Sequence, residues 1–127
     1  MLFLFSWTLD GKGGNKKEPT WDDIESQLNR LRDASGTLTL DVISDAEIGP
    51  EMLQVRAEHC YFIVMLGETT DDDYEVRSYW DMTQSDNKVE ILGDYWPERQ
   101  LTKDFDLVVR IFREFFDTGN VSTDLLN

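Results

Sequence analysis

Apolar residues recur at steps of three and four in two segments of the chain, 21–31 and 105–116, and this spacing predicts two amphipathic helices. Thr20, with Asp23 three positions later, predicts a capping box at the start of the first helix. Thr102 is the predicted cap of the second helix. The apolar stripe of the second helix is wide, so we expect it to pack against a sheet or another helix.

Between the helices apolar residues alternate with polar ones, which predicts strands. In the predicted strand 59–66, residues 60–66 are apolar on both faces and are expected to form the central strand, and residues 2–8 are also expected to be covered on both faces. On a strand at 74–80, Tyr74, Val76 and Trp80 belong to the apolar face. The remaining predicted strands are 37–42, 52–56 and 88–92. A turn near Ala57-Glu58 is predicted to join 52–56 to 59–66.

The predicted element order is therefore β-α-β-β-β-β-β-α within a single domain, residues 1–127. Consecutive strands with helices at the start and finish favour an α+β fold class. We expect an antiparallel sheet of five to six strands with both helices packed on one face. The glycine-rich segment 10–19 is predicted to be a mobile loop, and segment 93–97 is predicted to break the chain.

The charge of the chain indicates what kind of partner it would bind. There are 26 acidic and 12 basic side chains, which gives a net charge of −14. Such a charge repels nucleic acid and anionic membranes, and it favours a cationic partner captured by electrostatic steering. Residues 1–36 carry a net charge of −1 and residues 37–127 carry −13. The negative charge therefore belongs to the sheet region.

Motifs for catalysis or ligand binding are weak in this sequence. Gly11–Lys17 lies between a predicted strand and a predicted helix, where backbone amides sometimes bind phosphate. The segment lacks the nucleotide-binding fingerprints, which favours a solvated loop. Anion binding by this segment stays an open alternative. The run 71–73 lacks EF-hand spacing, which favours a solvated turn over a calcium site. His59 and Cys60 are expected to point to opposite faces of a strand, with the thiol buried. No catalytic residue, metal or cofactor is assigned.

Two acidic runs at or near predicted turns contain no cation. Their members are Asp41, Asp45, Glu47 and Glu51, and then Glu68, Asp71, Asp72, Asp73 and Glu75. Acidic turns keep proteins soluble, and they also form anionic surfaces that receive a basic protein. Three aromatic residues with polar predicted surroundings are either anchors for such a partner or part of the core: Tyr79, Tyr95 and Trp96.

Five short segments carry a resemblance to a known class of proteins: Trp7–Gly11, Pro19–Trp21, Leu28–Leu31, Gly36–Leu40 and Phe115–Gly119. Together they resemble small bacterial immunity proteins, the cytosolic antidotes of contact-dependent growth inhibition and related polymorphic toxin systems. The resemblance implies no catalytic residue. It implies a non-enzymatic inhibitor that binds one cognate toxin domain and occludes or distorts its active site. Many such toxins are nucleases, which are basic because they grip phosphate.

The favoured hypothesis is thus an immunity protein whose acidic surface neutralises a cationic toxin domain, a nuclease. The alternative is an acidic adaptor or nucleic-acid mimic that binds a host DNA-binding protein. A third class, an enzymatic or small-molecule-binding domain, would need an enclosed polar pocket. The apolar run Met1–Trp7 lacks the basic start and length of a signal peptide, and no membrane span is predicted, so a cytoplasmic location is expected.

Overall fold

The computed structural model describes residues 2–127, so Met1 of the apolar run Met1–Trp7 lies outside the described residues. The helices are α1 (Trp21–Leu31) and α2 (Phe105–Thr118), and a short 3₁₀ turn spans Glu98–Gln100. The strands are β1 (Leu2–Leu9), β2 (Lys12–Lys17), β3 (Gly36–Ile43), β4 (Gly49–Glu58), β5 (Tyr61–Thr69), β6 (Tyr74–Ser78), β7 (Lys88–Ile91) and β8 (Asp94–Pro97).

Six of the strands form one antiparallel sheet in the order β2-β1-β3-β4-β5-β6, and β7 pairs with β8 in a separate hairpin. Both helices pack on the same side of the large sheet, which we call the helix face; the opposite side is the open face. The main core lies between the helices and the helix face, where Phe5, Leu40, Ile24 and Phe112 are fully buried. The predicted α+β class, with an antiparallel sheet and both helices on one face, is confirmed.

The chain contains three two-residue turns, and two of them explain why it has more strands than its sequence predicts. Asp10-Gly11, His59-Cys60 and Leu92-Gly93 have positive φ at both residues, the backbone twist of tight β-hairpins. The first turn folds Lys12–Lys17 back onto β1, so the prediction of a mobile loop at 10–19 is wrong. The third turn pairs β8 with β7, so the predicted break at 93–97 is also wrong.

The turn at His59-Cys60 lies two residues beyond the position predicted for it. Because the chain reverses at these two residues, both side chains are exposed instead of lying on opposite faces of a strand. The prediction of a buried Cys60 thiol is therefore wrong. The register Glu58↔Tyr61 fixes the turn at this place.

The N-terminal caps of the two helices were predicted with different success. The Thr20 hydroxyl accepts a hydrogen bond from the Asp23 amide at 3.2 Å, and Asp23 accepts one from the Thr20 amide at 2.8 Å, which confirms the capping box. Helix α2 is capped by Asp104 and not by Thr102. The backbone of Thr102 instead forms a β-bridge to Phe62, which holds it outside the helix.

The capping box makes the start of α1 sensitive to pH and to mutation. The Thr20 backbone hydrogen bond, followed by the bonds from Lys16 and the Thr20 hydroxyl, lowers the pKa of Asp23 to about 2. Because the folded pKa lies below the unfolded one, this stabilisation is present above about pH 4 and is lost as the pH falls toward 2. Thr20→Ala should lower the free energy of unfolding by about 1 kcal/mol at pH 7, measured by urea denaturation. The difference from wild type should shrink toward pH 2, and Ser26→Ala, at an exposed position of α1, should cost no stability.

The β7–β8 hairpin covers part of the open face and explains the burial of β5. Ile63 of β5 packs there against Ile91 and Leu101, with Trp96 beside them. Strand β5 is thus covered on both faces, as predicted, but it is fifth in the sheet order and not central. Strand β1 lacks such a cover, so Leu2 is exposed and the prediction of two covered faces is wrong for this strand.

Candidate functional site

The two acidic runs of the sequence meet at one end of the large sheet. Residues 44–48 connect β3 to β4, and residues 70–73 connect β5 to β6. Because Gly49 pairs with Thr69, these two connections are neighbours. We call this region the acidic end and define it by nine residues: Asp41, Asp45, Glu47, Glu51, Glu68, Asp71, Asp72, Asp73 and Glu75.

Only one of these carboxylates has a cationic partner among the described residues. The Arg77 Nε lies 3.3 Å from Glu68 Oε1, and the two side chains are 13% and 22% exposed. Arg77 also donates hydrogen bonds to Asn120 Oδ1 at 2.6 Å and to the Val121 carbonyl at 3.0 Å. The other eight carboxylates have no basic nitrogen within 4.0 Å in the described part of the chain. Their negative charge is therefore directed to solvent.

Hydrogen bonds within the turn hold one of its three carboxylates, that of Asp73, in place. The Thr70 amide donates to the Asp73 carbonyl at 2.8 Å, and the Asp73 amide donates to the Thr70 hydroxyl at 3.2 Å. The Asp73 carboxylate accepts from the Tyr74 amide at 2.7 Å. Asp71 and Asp72 have no such internal bond in the described structure and are exposed at the tip. A partner would thus meet these two carboxylates first.

Asp41 differs from the other acidic residues because it lies on the sheet itself. It pairs with Leu4 of β1 and Met52 of β4 on the open face and is half-buried. Burial raises the pKa of the Asp41 carboxyl. The pKa of Tyr74 is raised by burial and then by the negative charges of Glu51 and Asp41. The phenol and both carboxylates therefore lie close together on this face.

The three aromatic residues proposed as anchors lie away from the acidic end or inside the protein. Tyr79 is half-buried and packs against the main core, so it is not an exposed anchor. Trp96 is half-buried against the second cluster. Tyr95 is 68% exposed, but it lies on the β7–β8 hairpin, which is joined to the far half of the open face by an ion pair of 3.0 Å between Arg56 and Asp94.

Different residues bring apolar surface to the acidic end. Tyr74 and Val76 of β6 are 48% and 56% exposed, and Leu2 and Ile43 are a cross-strand pair, each 49% exposed. We define the apolar patch by six residues of the open face at this end: Leu2, Leu4, Ile43, Met52, Tyr74 and Val76. The alternation at 74–78 showed an apolar side of β6, but only the fold shows that this side lacks a covering helix.

The other candidate sites give weaker support for ligand binding. In the segment Gly11–Lys17, residues Lys12–Lys17 form the edge strand β2. No group of three metal-ligating side chains occurs within residues 2–127. A groove of about 780 Å³ lies between α1 and α2. Its Arg113 is already paired with Asp117 at 3.0 Å and lies 5.0 Å from the centre of the Trp21 ring. No helix of the described chain is both long and apolar enough to cross a membrane.

Comparison with known proteins shows a shared fold and a family. The crystal structure of a hypothetical protein from Neisseria gonorrhoeae is similar to this chain with a TM-score of 0.81 and 22% identity, over 96% of this chain and 91% of that one. At this identity the similarity establishes the fold alone. No curated protein matches the chain. A model of a family of unknown function, DUF6911, matches residues 3–125. The chain therefore belongs to the DUF6911 family.

Proposed function

We propose that this chain is a non-enzymatic immunity protein that binds a cationic toxin domain, a nuclease, and neutralises it through the acidic end. The observation that supports this proposal most is the meeting of two separate acidic runs at one end of the sheet, with Arg77 as their only ion-pair partner in the described chain. The sequence resemblance to immunity proteins supports the same class.

Electrostatics explains why this arrangement suits an inhibitor. An uncompensated anionic surface attracts a basic protein over several ångströms and raises the association rate, which an antidote needs when toxin enters the cell. A nuclease presents a basic cleft for phosphate, so carboxylates at a sheet end match the charges of its active site. Occupation of that cleft would exclude the nucleic acid without any reaction on the inhibitor.

Co-expression tests the proposal directly. If the gene immediately upstream encodes a large secreted protein, the C-terminal domain of that protein is the partner to use, and the absence of such a gene would count against the proposal. We expect cells that produce this domain to survive only when the chain is co-expressed, and the two purified proteins to form a stable complex. Continued killing with no complex would reject the proposal. Retention of endogenous DNA-binding proteins in place of the domain would support the nucleic-acid mimic instead.

Charge reversal at the turn tip tests the role of the acidic end. Asp71→Lys with Asp72→Lys should slow association with the toxin domain about tenfold at low salt and flatten its salt dependence, because the steering field is weakened. The dissociation rate should change little. Stopped-flow mixing at several salt concentrations measures both rates.

The matched control for this experiment is Asp33→Lys with Asp86→Lys, which makes the same change in net charge at exposed positions outside the acidic end. Association should slow far less in this control. Equal slowing in both double variants would show that net charge alone steers the partner and that the acidic end has no special part.

A further inference from the structure

The open face changes from polar to apolar along its strands. Across its middle, Ser6, Thr39 and Gln54 are successive cross-strand neighbours, followed by Met65, which packs in the cluster under the β7–β8 hairpin, and by Ser78. One pleat closer to the acidic end the corresponding row is Leu4, Asp41, Met52, Gly67 and Val76. A solvated sheet face needs only polar residues, so the change to apolar residues at this end requires another explanation.

Tyr74 extends the apolar part of this row from Met52 to Val76, whereas Asp41 separates Met52 from Leu4. Gly67 has no side chain, and a Cβ at this position would overlap the Tyr74 hydroxyl and approach Met52 Cγ to 3.4 Å. The phenol ring therefore lies over the glycine and fills the gap between Met52 and Val76. Neighbouring strands are about 4.8 Å apart, so the row from β1 to β6 spans about 19 Å. This is the width of a small protein interface.

Carboxylates border this patch on the side of the strand ends. Glu51 and the turn 70–73 lie beyond Met52 and Tyr74 along β4 and β6, and Asp41 lies within the row. Exposed apolar surface with a polar border is typical of protein-binding sites. Apolar and aromatic residues at the centre of such sites determine how long a complex lasts, whereas charges at the edge determine how fast it forms.

We infer that the apolar patch is the buried centre of the interface whose edge is the acidic end, with Tyr74 as its main anchor. This inference rests on the proposed function. The partner surface that fits has aliphatic or aromatic side chains surrounded by lysine and arginine, with one cation that reaches the half-buried carboxylate of Asp41.

The charge of the patch border decides between kinds of occupant. A second copy of this chain would bring two acidic ends together, which a net charge of −14 opposes. An anionic membrane surface would be repelled in the same way. A basic protein is attracted, and one of its cations beside Asp41 would offset the desolvation of this half-buried carboxylate by favouring its charged form.

The kinetic test compares two exposed tyrosines that differ in position. Tyr74→Ser should raise the rate of dissociation from the toxin domain at least tenfold and leave the association rate within about twofold. Tyr95→Ser removes a more exposed ring, 68% against 48%, from the β7–β8 hairpin and should leave both rates unchanged. Threonine has nearly the same shape and strand preference as valine but is less apolar, so Val76→Thr should also speed dissociation. It provides a second test if Tyr74→Ser is poorly folded by circular dichroism.

Two outcomes distinguish a failure of this inference from a failure of the proposed function. If Asp71→Lys with Asp72→Lys slows capture but Tyr74→Ser and Val76→Thr dissociate like Tyr95→Ser, the inference is overturned and the proposed function stands. If the wild-type chain binds no toxin domain, the proposed function fails.

A small probe tests the chemistry of the patch without the toxin domain. Decyltrimethylammonium, below its micellar concentration, combines one cation with an alkyl chain, and tetramethylammonium is the matched control for charge alone. We expect the first to shift the NMR signals of Met52, Tyr74 and Val76 and the second to leave them in place. Shifts that centre on the exposed Trp80 and Met82 instead, or that are equal for both ions, would overturn the inference.

Discussion

Arg77→Met is expected to lower the free energy of unfolding by about 3 kcal/mol, because it leaves the Glu68 carboxylate partly buried without its cation. The substitution also removes the donors to Asn120 Oδ1 and to the Val121 carbonyl, which hold the segment after α2 against β6. Methionine fills most of the volume of the arginine stem, so the loss reports on charge and hydrogen bonding more than on a cavity. Urea denaturation at pH 7 measures the change.

Two further variants show whether the ion pair is responsible. Arg77→Met combined with Glu68→Met should recover much of the loss, since a buried pair replaced by apolar residues is often neutral. Arg113→Met removes one partner of the exposed pair with Asp117 and should cost less than about 1 kcal/mol. A loss for Arg77→Met as small as that for Arg113→Met would show that the pair with Glu68 adds little to the fold.

This pair leaves the solvent-facing charge of the acidic end uncompensated. Arg77 and Glu68 lie on the helix face, while Asp71 and Asp72 lie at the tip of the turn. The single cation is used to fix the end of β6 to the chain after α2, so it neutralises an internal carboxylate and none of those that face solvent. Under the proposed function, stability and partner attraction would thus use different members of the same acidic run.

The helices of this protein were predictable because their signals are local. The stripe of α1 and the capping box of Thr20 and Asp23 depend on residues three and four apart, which are neighbours in any helix. The cap of α2 was predicted two residues early because Thr102 has the right chemistry for a cap. Its backbone is held by Phe62, which is 40 positions away and invisible in a local pattern.

The hairpins were less predictable because their turns differ in chemistry. Asp10-Gly11 has a favourable sequence for a tight hairpin, but the three lysines and two glycines that follow hid the strand. Leu92 and Cys60 adopt positive φ, which such residues rarely do, so nothing in their identity marks a turn. These turns form because the flanking strands pair, and that pairing is a property of the whole sheet.

The sequence pattern singled out the carboxylates of the candidate site, but it did not single out the apolar residues beside them. Acidic residues cluster at turns, and antiparallel connectivity places alternate turns at one end, so the nine carboxylates follow from sequence once the strand order is known. The aromatic residues do not. Alternation places Tyr74 of β6 and Tyr79, the residue after β6, on opposite faces of the sheet. Which of these faces is covered depends on where α2 and the C-terminal residues pack.

Gly36→Ala is expected to destabilise the fold by about 3 kcal/mol or more, although it adds a single methyl group. Gly36 opens β3 opposite Leu9, and a Cβ there would overlap the Thr8 carbonyl oxygen and lie 3.1 Å from the Leu9 Cα. Both obstacles are backbone, so β1 and β3 would have to separate. Gly13→Ala is the matched control, since its nearest neighbour, the Trp7 carbonyl oxygen, is 3.4 Å away and the position is exposed. Thermal unfolding should show a large fall in midpoint for Gly36→Ala and almost none for Gly13→Ala. Equal midpoints would mean that the β1–β3 pair adjusts to the methyl group and that close backbone approach does not require glycine here.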